Sequence, residues 1–207
     1  MPLPEVRRVL GADDPVARDA AIAAHLTRME RELDRTRRIV GSLRALLRPA
    51  GDLTVRYRTF TPQPTVAVSA TVDRDDIGDF CDTAYARLYG DLGRHGVAPA
   101  GPGAGTYDDA FFTEGFGGVT TYVPVATEVT AANSGLDLVI IPGGRYAVAE
   151  HVGAFSELDR TYAAVGSHVA RHEVVVPGPI REIYRVGPSE VTDPADYRSD
   201  VCWPVAG

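Results

Sequence analysis

Residues 85–107, YARLYGDLGRHGVAPAGPGAGTY, and residues 162–184, YAAVGSHVARHEVVVPGPIREIY, carry one pattern twice. Tyr85, Arg94, His95, Val97, Pro102 and Tyr107 each meet an identical residue 77 positions later, at Tyr162, Arg171, His172, Val174, Pro179 and Tyr184. At a spacing of 80, Ala67-Val68 matches Ala147-Val148 and Pro124-Val125 matches Pro204-Val205. The change in spacing falls in loops on either side of the helices. Self-similarity at a fixed spacing marks a duplicated unit. The reading is an α+β fold of two successive strand–helix–strand–strand units, 53–130 and 135–207. Duplicated units pack about a pseudo-twofold axis, and the interface between them is a natural pocket.

The surrounding chain supplies the elements. Strand signals fall at 53–60, 65–72, 120–125, 136–141, 181–186 and 200–205, with 145–151 following the fourth. Helical spacing over 75–95 sets Ile77, Phe80, Ala84, Leu88 and Leu92 on one face, and 155–172 is a second helix. The first 50 residues are different in kind. They hold no Tyr, Phe or Trp and carry 10 Arg against 7 acids, whereas the rest carries 11 Arg against 21. The shift places a boundary near Pro49-Ala50-Gly51, between a helical segment over 1–50 and a second domain over 51–207. Asp14 before Pro15 is a helix-start signal, since proline's missing N–H costs nothing in the first turn. Ile22, Leu26, Met29, Leu33, Val40, Leu43 and Leu47 then recur at steps of four and three, with Thr36 alone breaking the seam. This heptad pattern predicts a long coiled-coil helix that pairs with its copy in a homodimer. The alternative is a helix lying on the C-terminal domain.

Composition excludes several chemistries. All 21 basic side chains are arginine. Without lysine, the chain can run neither P-loop nucleotide chemistry nor a Schiff base with pyridoxal phosphate. Cys81 and Cys202 form no CxxC pair, so neither a disulfide framework nor a zinc site is expected. A net charge of −7 argues against a nucleic-acid coat. The N-terminus lacks the apolar core of a signal peptide, and no run suits a membrane span. The expectation is a soluble, cytoplasmic protein.

The repeat also shows where the halves differ. Gly105 stands where the second copy has Glu182. On a strand Glu182 faces away from Ile183 and shares a side with Ile180. The residues alone leave it either a semi-buried pocket carboxylate or a solvent-facing acid paired with Arg181 or Arg185. Aromatic rings offer an apolar face that attracts cations, so a carboxylate among them suits a lipophilic cation or a planar heteroaromatic. His168 and His172 are one helical turn apart but lack a third ligand, so no metal is expected. Residues 101–105 are glycine-rich and read as a turn, not a phosphate loop. The serines show no nucleophile-elbow context, and Arg37-Arg38 read as coil surface.

Leu3-Pro4-Glu5-Val6-Arg7-Arg8-Val9-Leu10 with the heptad helix resembles the segment that follows the DNA-binding domain in MerR-type transcription regulators. Ile140-Ile141-Pro142-Gly143-Gly144-Arg145-Tyr146-Ala147-Val148, His151-Val152-Gly153, Glu182-Ile183-Tyr184 and Trp203-Pro204-Val205 resemble the GyrI-like effector-binding domain. The resemblance implies a duplicated, SHS2-type module with a ligand cleft between its halves. It further implies that Glu182 meets cationic ligands among aromatics, with Tyr146 and Tyr184 beside it. Tyr107 and Trp203 join the candidates by repeat symmetry. The winged helix-turn-helix expected before Leu3 is not visible. The expectation is therefore the effector-binding and dimerisation part of a MerR-like regulator, meeting DNA only through a reading head absent from this chain. It would bind a small lipophilic effector and need no cofactor. The rivals are a stand-alone GyrI-like hydrolase, with Glu182 as general base and Tyr146 or Tyr184 as proton donor, and a ligand-sequestering protein.

Overall fold

The computed structural model describes residues 15–47 and 54–207, which fall into two compact units on either side of that gap. The first is a single helix, α1 (Pro15–Leu47), of 33 residues. Ala, Arg, Glu and Leu, all good helix formers, dominate it. Ile22, Leu26, Met29, Leu33 and Val40 of the expected seam are exposed. Asp14, the segment 3–10 and the side chains of Leu43 and Leu47 lie outside the described residues.

The second unit is one eight-stranded antiparallel sheet. Its strands are β1 (Val55–Phe60), β2 (Gln63–Asp73), β3 (Ala104–Tyr107), β4 (Phe116–Pro124), β5 (Val139–Ile141), β6 (Gly144–Val152), β7 (Ile180–Val186) and β8 (Arg198–Val205). Helices α2 (Ile77–Arg94), α3 (Asp109–Thr113), α4 (Ala131–Ser134) and α5 (Leu158–His172) connect them. The spatial order β1-β6-β8-β7-β3-β4-β2-β5 is symmetric about its centre. Each position to one side of the β7–β3 pair has its repeat counterpart on the other.

The expected units need two corrections. The first strand of each joins the opposite half: β1 pairs with β6 and β5 with β2. The halves are thus stapled together by exchanged edge strands, which adjacency in the sequence does not reveal. The second correction is that residues 104–107, expected to begin in a turn, form β3, and a short helix follows them.

Both long helices pack on one face of the sheet with equivalent residues. Leu88 and Leu92 of α2 lie against Val66, Val123 and Val125. Val165 and Val169 of α5 lie against Ala147, Ala149 and Val205. Four-residue spacing turns these side chains toward the sheet, and small alanines in β6 let α5 approach closely. Gly166 extends the contact: a Cβ there would meet the Trp203 ring at 3.1 Å. Among the described residues no helix is long and apolar enough to cross a membrane.

Candidate functional site

The site grows from the central strand pair. The antiparallel register of β3 and β7 sets Gly105 opposite Glu182, so the asymmetric position of the repeat lies on the pseudo-twofold axis. Alternation along β7 turns Glu182 and Tyr184 to the helix face and Arg181 to the other. Glu182 is 6% exposed and pairs with no arginine among the described residues. Arg185 instead pairs with Glu150 and Asp200. The solvent-facing alternative for Glu182 is therefore not what the chain adopts.

Tyrosines satisfy the buried carboxylate. Tyr162 of α5 donates to Glu182 Oε1, and Tyr184 donates to Oε2 at 2.6 Å. With its one proton committed there, Tyr184 Oη accepts from Tyr107 at 2.6 Å. The result is a directed chain from Tyr107 through Tyr184 to Glu182, met from the other side by Tyr162. Tyr85 of α2 lies edge-on to Tyr184, its hydroxyl donating to the Ala104 carbonyl at 2.8 Å. Tyr85 with Tyr162, and Tyr107 with Tyr184, are repeat mates. Two symmetric pairs of phenols thus surround one unsymmetric acid.

Apolar rings close the cluster. Asp108 caps α3 by accepting from the Phe111 N–H at 3.0 Å, and its other oxygen accepts from Gly118 N–H at 2.7 Å. This holds Phe112 with its ring 5.0 Å from Tyr162 and 6.1 Å from Tyr107. Phe155 packs edge-on to Tyr184 at 5.4 Å. Gly105 leaves room for the Tyr107 ring, which an added Cβ would meet at 3.1 Å.

Burial sets the electrostatics. It pushes the Glu182 carboxyl above the usual carboxylate value, while hydrogen bonds from Tyr162, Tyr184 and Tyr107 act against that rise. The same three phenols are held well above their ordinary value, first by burial and then by the Glu182 charge. The Cys81 thiol is pushed up to about 12, chiefly by burial and then by Glu182. At neutral pH the phenols and the thiol stay protonated, so the Glu182 carboxyl is the group of this cluster that can carry a negative charge.

The sequence-level candidates divide between the two faces. Glu182, Tyr184 and Tyr107 come together. Tyr146 does not join them: it sits across the sheet, its ring 4.9 Å from the Arg181 guanidinium and edge-on to Phe60. Register explains this, because Tyr146 lies beside Arg58 and shares the outward side of its strand with Val148. Trp203 is on the helix face but packs beneath α5 with Val165 and Tyr162, without a hydrogen bond to Glu182. Tyr162, Tyr85 and Phe112 complete the cluster beyond the five named candidates, and the repeat itself marks Tyr162 and Tyr85. His168 and His172 stack at 4.8 Å, and His168 Nε2 lies 3.0 Å from the Tyr57 hydroxyl. Among the described residues no group of three or more His, Cys, Asp or Glu could hold a metal. A hollow of 380 Å³ beside Asp108, Asp109, Ala110, Gly178 and Pro179 contains none of the Glu182 cluster, and Asp108 is already spent on backbone N–H groups.

The model of the GyrI-like small molecule binding domain matches residues 53–206. Solved structures share the fold at low identity. SAV2435 bound to tetraphenylphosphonium is 17% identical, covering 75% of this chain and 95% of its own, with a TM-score of 0.54. EcmrR in its DNA complex is 14% identical, covering 99% of this chain and 77% of its own, with a TM-score of 0.64. A hydrolase from Listeria innocua is 16% identical, covering 74% of this chain and 92% of its own, with a TM-score of 0.52. No functionally curated protein matches the chain by sequence.

Proposed function

The chain belongs to the GyrI-like small-molecule binding domain family, and from that footing we propose that it is the effector-binding and dimerisation part of a MerR-like transcription regulator. The effector in this reading is a small lipophilic cation. The observation that carries it is Glu182: one carboxylate, buried on the pseudo-twofold axis, surrounded by protonated phenols and phenyl rings. A buried anion whose desolvation is already met by folding gives a cation a charge to meet without stripping it of water afresh. The rings supply flat apolar surface and the negative faces that cations favour. The tetraphenylphosphonium held by SAV2435 has this chemistry.

Helix α1 provides the dimerisation half of the proposal. Its seam residues Ile22, Leu26, Met29, Leu33 and Val40 are exposed at heptad spacing, which suits a partner helix from a second copy of the chain. Effector binding would shift the arrangement of two such chains, and DNA would be met through a separate reading head.

Hydrolysis is the less favoured reading. Phenols raised well above their ordinary value are weak proton donors, and both oxygens of the carboxylate are already taken up by phenol hydrogens instead of facing a water. Binding without turnover fits that arrangement better. The test is titration of the whole chain with tetraphenylphosphonium and with uncharged triphenylphosphine oxide. The proposal expects clear preference for the cation, and equal affinity for both would overturn it.

A further inference from the structure

The central strands break the repeat at two neighbouring positions. Ala104-Gly105 of β3 corresponds, 77 positions on, to Arg181-Glu182 of β7. The axis therefore carries two unmatched charges of opposite sign, one on each face of the sheet. Glu182 has its phenol donors. Arg181 has no comparable partner.

The Arg181 side chain is 3% exposed. Its Nη2 donates to the Pro142 carbonyl at 2.8 Å and only weakly to Tyr146 Oη at 3.4 Å. Its Nε is buried without a hydrogen-bond partner. The guanidinium lies 4.8 Å from the centre of the Phe60 ring and 4.9 Å from that of Tyr146. The exposed Arg58 brings a second guanidinium to 4.5 Å from the same Phe60 ring. Neither arginine forms an ion pair among the described residues. The acids of this face are engaged elsewhere: Asp200 takes Arg56 at 2.9 Å and Arg185 at 3.3 Å, and Glu150 takes Arg185.

Two cations thus share one ring with no anion between them. Removing a guanidinium from water without a counter-charge is costly, and an undonated N–H adds to that cost. Rings offset part of it, but a ring quadrupole does not replace a formal negative charge. A planar carboxylate does, since guanidinium presents a fork matched to it. The Phe60 and Tyr146 rings also favour a ligand with an apolar body over a hydrated inorganic ion.

We propose that Arg181 anchors an anion site on the sheet face opposite Glu182, one that takes a small carboxylate accepting from Nε and meeting Arg58 beside the Phe60 ring. The site is separate from the cation cluster and stands whether or not Glu182 binds cations. Its occupant is an organic acid, a ligand class of opposite charge, bound back to back with the first site on adjacent residues of one strand.

The experiment titrates the whole chain with sodium benzoate at constant ionic strength, with benzyl alcohol as uncharged control and inorganic phosphate as a hydrated anion. Calorimetry and the thermal midpoint are read together. A saturable benzoate response is expected, raising the midpoint by roughly 5–10 °C at a hundredfold excess over Kd, with none from benzyl alcohol and less from phosphate. Arg58→Ala, at an exposed side chain, should weaken benzoate about threefold or more, and Glu182→Gln should leave it unchanged. Arg181→Met should abolish the response while keeping the wild-type circular dichroism. Absence of a saturable benzoate response in wild type overturns the proposal regardless of how any variant folds. An undiminished response in Arg181→Met, or unchanged benzoate affinity in Arg58→Ala, overturns it as well.

Discussion

Replacing Glu182 with glutamine removes one charge and almost no volume. The carboxylate is buried, and Tyr162 and Tyr184 donate to its two oxygens. Glutamine keeps one acceptor oxygen, and its NH₂ can donate to the other phenol once that hydroxyl rotates, so the cluster retains its shape. What disappears is the attraction for a cation. At a separation of about 6 Å and an effective dielectric near 20, that attraction is about 3 kcal/mol. Incomplete desolvation of a bulky cation lowers it, so affinity for tetraphenylphosphonium should fall roughly 10- to 100-fold. Triphenylphosphine oxide, uncharged and similar in shape, should bind both proteins within about twofold, because it meets the same rings. Isothermal titration of both ligands against both proteins gives the four constants needed. If Glu182→Gln holds the cation as tightly as wild type, or loses cation and neutral ligand alike, charge pairing at Glu182 is refuted.

Three further outcomes follow from the same geometry. The folded Glu182 carboxyl is raised above its ordinary 4.5 by burial, so the native state holds that proton more tightly than the unfolded chain; stability at this residue is greatest below the ordinary value and falls as pH rises through the raised one. Urea denaturation across that range should show wild type losing stability with rising pH relative to Glu182→Gln, and parallel pH profiles would contradict it. Gly105→Ala would press a Cβ to 3.1 Å from the Tyr107 ring, costing about 1–3 kcal/mol in thermal unfolding and weakening cation binding as Tyr107 leaves Tyr184; wild-type behaviour in both would show the ring has room to move. Leu33→Glu places a charge on the exposed α1 seam and should convert a dimer to a monomer by light scattering while leaving tetraphenylphosphonium binding near wild type, whereas an unchanged mass would remove α1 as the dimer contact.

The repeat made much of the fold legible. Identical residues at one spacing placed α2 and α5, and the four-residue steps through Leu88 and Leu92 named a buried face that the structure retains. The exchange of β1 and β5 between halves was not legible, because edge pairing depends on which strand ends the tertiary fold brings together and leaves no local pattern. In the site, the Gly105–Glu182 difference pointed to the axis residue, but alternation on one strand could not say which side the helices cover. Tyr146 shows the limit most clearly. Its motif neighbours placed it beside Glu182, yet a strand residue's face is fixed only by its register with β1 and β8. Tyr162 is visible in the sequence as the repeat mate of Tyr85, but its place on a helix does not show that it faces the central strand pair. Arg181 was considered only as a partner for Glu182, although neighbours on a strand point to opposite faces and cannot pair that way.

The central claim is that the ligand enters the cluster around Glu182, on the helix face of the central strand pair. Nuclear magnetic resonance of ring-labelled tyrosine, with signals assigned by single Tyr→Phe variants, reads this residue by residue. On addition of tetraphenylphosphonium, signals of Tyr85, Tyr107, Tyr162 and Tyr184 should shift together and saturate with one Kd, while Tyr122 and Tyr146 on the opposite face stay in place. Saturating shifts confined to Tyr122 and Tyr146, or no shift at Tyr162 and Tyr184, would contradict the account.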